Sequence, residues 1–181
     1  QDSRVRWIKR LMEADFLSQE RVYKPLLKQV LEAFHESCWH LVIDRTALWE
    51  GVDLATISLS YRKRALPLVW TCVPYGGASE ATYLHLLRRC VPLIPANVHV
   101  IFHGDTEFGR IDMIRTLREI GWDFMLAQPS HCGFRSSRNA HSLPLASLPV
   151  TPHHGCQLAQ VELFAQERLA GINILAFYQP H

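Results

Sequence analysis

Short apolar runs, each closed by a polar residue, recur along the chain and predict its strands. Trp39-His-Leu-Val-Ile-Asp-Arg-Thr46 climbs through apolar positions into one carboxylate, Asp44, and then turns polar. Asn97-Val-His-Val-Ile-Phe-His-Gly-Asp105 repeats that grammar and delivers Asp105. Runs rich in Val and Ile between polar or Gly residues read as buried strands. Leu54 to Tyr61 alternates apolar with small polar residues, the period of a half-buried strand. Ala65 to Val73 is a further strand, with Pro67 tolerable near its beginning or at a sheet edge. Trp122 to Ala127 is another. Between these runs the period changes to helical. Val5, Ile8, Met12 and Phe16 recur through a basic segment, 4–17, that carries Arg4, Arg6, Lys9 and Arg10. Residues 18–37 carry Leu27, Val30, Leu31 and Phe34 on one stripe, and Pro25 moves the helix start toward itself. Ser79 caps a helix that Pro92 ends, and Ile111, Ile114, Leu117 and Ile120 line one that Gly121 ends.

Residues 41–127 therefore read β-β-β-α-β-α-β. A meander followed by alternating helix and strand is the ribonuclease H-like order, an α/β fold with a mixed sheet behind N-terminal helices (residues 1–38). Past 128 the texture changes. Residues 129–156 carry Pro, Ser, His and Gly with little periodicity and predict a long loop. Gln157–Phe164 and Ile172–Tyr178 read as strands of a separate all-β element.

Composition narrows the classes. At 181 residues, 48% hydrophobic and 20% charged, the chain can bury a core of its own. A formal net charge of +2 gives no global basic field, so any nucleic-acid surface is local. No stretch approaches the roughly 20 apolar residues of a membrane span. The start, Gln1-Asp-Ser-Arg4, carries neither an initiator Met nor a signal-type apolar segment, and reads as the inside of a longer polypeptide. Five cysteines with no Cys-x-x-Cys predict reduced thiols and a cytoplasmic setting.

The chemistry centres on the two strand-end acids. Carboxylates held side by side repel unless a hard cation lies between them, so Asp44 and Asp105 point to a Mg²⁺ or Mn²⁺ site for phosphoryl chemistry. The plain alternative for each is a carboxylate that caps a turn. Asp53 and Asp112 read as surface residues, and His103 as a residue that orients a neighbour or sits in the sheet. DNA contacts would come from Arg62, Lys63 and Arg64 on a basic turn, and from Arg135 and Arg138 in the long loop. A solvated Arg is the commoner role for each of these. Trp49 is a stacking platform or, more commonly, core. His131-Cys132 and His153-His154-Gly-Cys156 offer zinc-ligand types in no standard spacing.

Ile43-Asp-Arg-Thr46, the meander, Gly104-Asp-Thr-Glu-Phe-Gly109 before an amphipathic helix, and Ile120-Gly-Trp-Asp-Phe-Met-Leu126 resemble the cut-and-paste DDE transposases of bacterial insertion sequences. The resemblance covers residues 1–128 and makes 39–128 part of a catalytic core. Residues 129–181 become the start of a β-rich insertion. It implies that Asp44 and Asp105 are the first two acids of a catalytic triad holding Mg²⁺ or Mn²⁺. It also implies DNA partners (transposon ends and target), a homodimer when full length, and no membrane. The family's third acid, a Glu in a Tyr-x-x-Arg-x-x-x-Glu pattern, does not occur; Glu162 and Glu167 lack that spacing. Thr106-Glu107 stands where many members carry Arg-Gly, and adds a negative charge near the expected metal. The chain by itself is therefore expected to be inactive. A related metal-dependent nuclease and a non-catalytic DNA- or partner-binding remnant are the alternatives.

Overall fold

In the computed structural model, which describes residues 19–136, 141–164 and 166–178, alternation sets the faces of the first sheet. Its strands are β1 (Cys38–Trp49), β2 (Val52–Tyr61), β3 (Arg64–Pro74), β4 (His99–Gly104) and β5 (Asp123–Leu126). They lie in the order β3-β2-β1-β4-β5. The meander β1–β2–β3 is antiparallel, whereas β4 runs parallel to β1 and β5 parallel to β4. Pro67 falls at a bulge in β3, on the sheet edge, where its missing N–H interrupts no central ladder.

Every second residue of the central strands points inward. Trp39, Leu41 and Ile43 of β1, Ala55, Ile57 and Leu59 of β2, and Val100 and Phe102 of β4 are all buried. The helices that cover this face are α1 (Lys24–Glu32), α2 (Glu80–Cys90) and α3 (Ile111–Glu119). They contribute Leu27 and Leu31, Tyr83, Leu86, Leu87 and Cys90, and Met113 and Leu117 to the same cluster. Each large side chain buried this way contributes about 1.5–3 kcal/mol relative to exposure. A π-helical turn at Gln19–Tyr23 leads directly into α1, so the helical stretch falls short of the expected 18–37 span mainly at its C-terminal side; Pro25 stands in the first turn of α1. The basic segment 4–17 lies outside the described residues.

The second sheet is antiparallel, in the order β7-β6-β8-β9. It contains β6 (Gly133–Arg135), β7 (Leu143–Pro144), β8 (Cys156–Leu163) and β9 (Leu169–Ala176). Residues 129–156 are thus not one loop: two short strands and a 3₁₀ turn at Leu145–Ser147 lie within them. Helix α3 serves both sheets. Met113 and Leu117 face the first, while Ile114 joins Cys132, Phe134, Val161, Leu163 and Ile172 in the second cluster. Arg118 of the same helix donates from Nη2 to the Gly171 carbonyl at 2.9 Å. The chain is a mixed α/β protein with one mixed and one antiparallel sheet. Among the described residues no helix is long and apolar enough to cross a membrane.

Candidate functional site: two acids over an arginine clamp

Strand register gives the two acids a common offset. Every β1–β4 pair from Cys38↔His99 to Val42↔His103 is offset by the same 61 residues, and Asp44 and Asp105 share that offset. Both sit at the carboxyl end of the parallel pair, Asp105 directly after β4 closes at Gly104. Asp44 follows the outward phase of β1 with His40 and Val42, and is exposed. Its carboxylate makes no hydrogen bond or ion pair among the described residues. Asp105 is exposed as well; its Oδ1 accepts the Glu107 N–H at 2.9 Å, and its carbonyl accepts the Phe108 N–H at 3.1 Å. Gly104 makes room for this turn, because a Cβ there would lie 3.0 Å from each of Ile43, Leu126 and Phe108.

One residue beyond Asp44 the side chain points the other way. Arg45 continues the inward phase of Leu41 and Ile43, and it reaches two carboxylates. Its Nε donates to Glu107 Oε2 at 2.8 Å, and its Nη1 donates to Asp53 Oδ2. Glu107 also accepts from the Tyr83 hydroxyl of α2, and the same hydroxyl accepts the Ala78 N–H at 3.0 Å. The Gly76 N–H adds a contact to Asp53 Oδ2 at 3.3 Å. Glu107, and then Asp53, hold the Arg45 guanidinium firmly in its charged form and push its pKa up. Burial, followed by the bond to Glu107, pushes the Tyr83 phenol up.

This network corrects two expectations. Asp53 is not a surface residue but 1% exposed, in phase with Ala55, Ile57 and Leu59. Glu107 does not add an uncompensated charge beside the acids; Arg45 and Tyr83 take it up. Mechanically the network is a clamp. Arg45 is covalently next to Asp44, and Glu107 holds Asp105 through its own N–H. The Arg45–Glu107 pair therefore ties β1, next to Asp44, to the turn that carries Asp105, from the core side of the sheet.

Below the acids, on the open face, His40 Nδ1 and His103 Nε2 lie 2.9 Å apart, with ring centroids at 5.1 Å. Burial, and then the neighbouring His40, pull the His103 pKa down. His99 Nε2 meets Asp123 Oδ2 at 2.7 Å on the same face. A groove of about 550 Å³ opens beside Asp105, lined in part by Thr106, Arg110, Gln128, His131 and Glu167. Among the described residues no three His, Cys, Asp or Glu side chains converge as metal ligands, so neither Glu162 nor Glu167 completes the acid pair. The His131-Cys132 and His153–Cys156 segments do not assemble a zinc site either.

No family model matches the sequence, and no curated protein does. Among solved structures, the chain is similar to the piggyBac transposase in a cryo-EM synaptic complex with hairpin DNA, at a TM-score of 0.42 and 15% identity. That alignment covers 97% of this chain and 40% of the other, so the chain spans well under half of that protein's length.

The basic residues singled out from sequence lie apart from the acids. Arg62 and Lys63 form the β2–β3 turn, and Arg64 opens β3. Since Leu41 pairs with Leu59 and Asp44 with Thr56, this turn lies at the opposite end of the sheet. Six residues of strand at about 3.3 Å each separate them by roughly 20 Å. Arg62 and Lys63 both adopt positive φ, 46° and 64°, in a two-residue hairpin position that favours Asn-Gly. Arg135 lies in β6 opposite Glu162, and Arg138 lies outside the described residues. Trp49, at the tip of the β1–β2 hairpin, is 63% exposed and takes no part in the core.

Proposed function

We propose that this chain is part of the catalytic core of a DNA transposase of the DDE kind, in which Asp44 and Asp105 are two of the three metal-holding acids. The observation that supports the reading is the 61-residue offset of the β1–β4 ladder, which Asp44 and Asp105 share just beyond its last pair. The strand order β3-β2-β1-β4-β5 with an antiparallel meander supports a ribonuclease H-like topology for residues 39–128. In this reading 1–38 is an N-terminal helical segment and 129–181 the start of a β-rich insertion.

Mg²⁺ or Mn²⁺ fits these residues in donor type: hard carboxylate oxygens, exposed, with Asp44 committed to no other partner among the described residues. Two acids can hold one such ion with water in its remaining positions, but are too few to fix the two ions of a strand-transfer site. The third carboxylate must come from outside the described residues. When bound, the ion would supply charge stabilisation at a phosphodiester and lower the barrier to strand hydrolysis and transfer. The chain's own residues have simpler tasks. Asp44 and Asp105 present negative charge on an open face that DNA can reach. Arg45, Glu107 and Tyr83 hold the turn that carries Asp105. Arg62, Lys63, Arg64 and Arg135 would contact phosphates, the β2–β3 turn at backbone on the order of six nucleotides from the acids, given about 3.4 Å per nucleotide. The DNA would comprise element ends and target, bound by a homodimer in the cytoplasm.

Titration of Mn²⁺ or Mg²⁺ with a backbone NMR shift map tests the reading. Saturable changes centred on Asp44 and Asp105, lost in Asp44→Asn, are the expected result. Equal changes in the variant would overturn it.

A further inference from the structure

We propose that the His40–His103 pair is a second metal site, selective for a borderline transition ion such as Zn²⁺ and distinct from the acid pair above it. Two neutral imidazoles whose nitrogens face each other share one proton, because each ring has one donor and one acceptor nitrogen. A metal ion takes the place of that proton, which moves to the other nitrogen of the ring that donated it, so both rings bind as neutral ligands. The geometry is close to what the ion needs. Tetrahedral Zn²⁺ at about 2.0–2.1 Å from each ring nitrogen sets the nitrogens about 3.3 Å apart, and here they are 2.9 Å apart. The small opening, with the turn of the rings that lets both lone pairs converge, falls to His40, which is exposed, while His103 is half-buried.

Position and chemistry keep this site separate from the acids. His103 pairs in register with Val42, one outward position below Asp44, so the imidazoles lie one rung down the same open face. Imidazole nitrogen selects Zn²⁺ or Cu²⁺ over Mg²⁺, whereas carboxylate oxygen accepts Mg²⁺ readily, so saturating Mg²⁺ occupies the acids and not the imidazoles. The neighbouring His99 does not compete, since its Nε2 is engaged by Asp123. Water fills the remaining positions, so the site is open and exchangeable rather than structural. It does not depend on the acids holding Mg²⁺.

The test is a Zn²⁺ titration of the whole chain in saturating Mg²⁺, read from the ring ¹⁵N resonances of its ten histidines. Free thiols such as exposed Cys72 are zinc-ligand types as well, and reading ring nitrogens separates any thiol binding from this site. His40 Nδ1 and His103 Nε2 are expected to shift together at a single midpoint, with His99 unmoved. His40→Gln is expected to weaken the His103 response at least tenfold with the amide spectrum otherwise intact, and His103→Gln to do the same to His40. Asp44→Asn is expected to leave the zinc response in place while abolishing the Mg²⁺ response. The proposal is overturned if the two rings respond at different zinc concentrations, if His103 responds equally in His40→Gln, if neither ring responds, or if Asp44→Asn removes the response. The last result would place the zinc on the acids.

Discussion

Arg45→Met keeps the apolar stem of the side chain and removes the charge that faces Asp53 and Glu107. The two carboxylates are left in unequal positions. Asp53 is 1% exposed and one of its oxygens, Oδ1, already lacks a partner; without Arg45 its other oxygen keeps the Gly76 N–H at 3.3 Å. Glu107 retains the Tyr83 hydroxyl and has a side chain 19% exposed, so water compensates part of its loss. Removing one partner of a buried ion pair costs about 3–5 kcal/mol, chiefly because a charge is left uncompensated. Against a total stability of about 5–15 kcal/mol, that is a large fraction. With a urea slope of about 2 kcal/mol/M, the unfolding midpoint falls by about 1.5–2.5 M, followed by tryptophan fluorescence. The double variant Arg45→Met/Asp53→Asn removes the stranded charge and is expected to regain at least about 2 kcal/mol over Arg45→Met, a coupling that independent sites do not show. A midpoint shift below about 0.5 M, or a double variant no more stable than the single, would refute the clamp.

Other parts of the molecule carry their own tests. Gly77 has φ +113°, and a Cβ there would lie 2.8 Å from Glu107 Oε1; Gly77→Ala is expected to cost about 1–3 kcal/mol in thermal unfolding, and an unchanged Tm would disprove the contact. Ile114 is 1% exposed between α3 and the second sheet. Ile114→Ala is expected to cost about 2–5 kcal/mol and to speed hydrogen exchange in β8 and β9 before β1 and β2; uniform exchange would show that the sheets do not loosen separately. Burial pushes the Cys90 thiol up to about 12. At pH 8.5 iodoacetamide should therefore label exposed Cys72 and leave Cys90 untouched until the protein unfolds, as peptide mapping by mass spectrometry would reveal.

The strands and helices of the first sheet were legible because each buries one face, and burial writes a period into the sequence. Their ends moved by a few residues, since strand pairing carries β1 and β2 past the apolar run and into the hairpin tip at Trp49. The common offset of Asp44 and Asp105 was legible for the same reason: two runs with the same grammar deliver the same residue type. The clamp was not recognised, although part of it was encoded. Arg45 lies in phase with Leu41 and Ile43, and Asp53 in phase with Ala55 and Ile57, so alternation alone aims both inward. A charge at a core phase is a signal for a buried partner. Glu107 offered no such signal, because it follows a strand and its direction is set by Tyr83 and the Pro74–Gly77 loop, which arrive from elsewhere in the chain. The second sheet was half legible. β8 and β9 are long enough to carry a period, whereas β6 and β7, at three and two residues, are not.

Asp44 and Arg45 are consecutive residues with opposite duties, one facing outward to the open side and the other facing inward to the clamp. A strand has a side-chain period of two, so deleting or inserting one residue upstream in β1 would exchange them. The acid would be driven into the core and the guanidinium out into solvent, and both roles would fail at once. Length changes in this chain are therefore tolerable at the Glu50–Gly51 hairpin tip, beyond both residues, and forbidden between Cys38 and Asp44. Any descendant of this sequence that keeps the site must keep the count of residues in β1 even where it changes their identity.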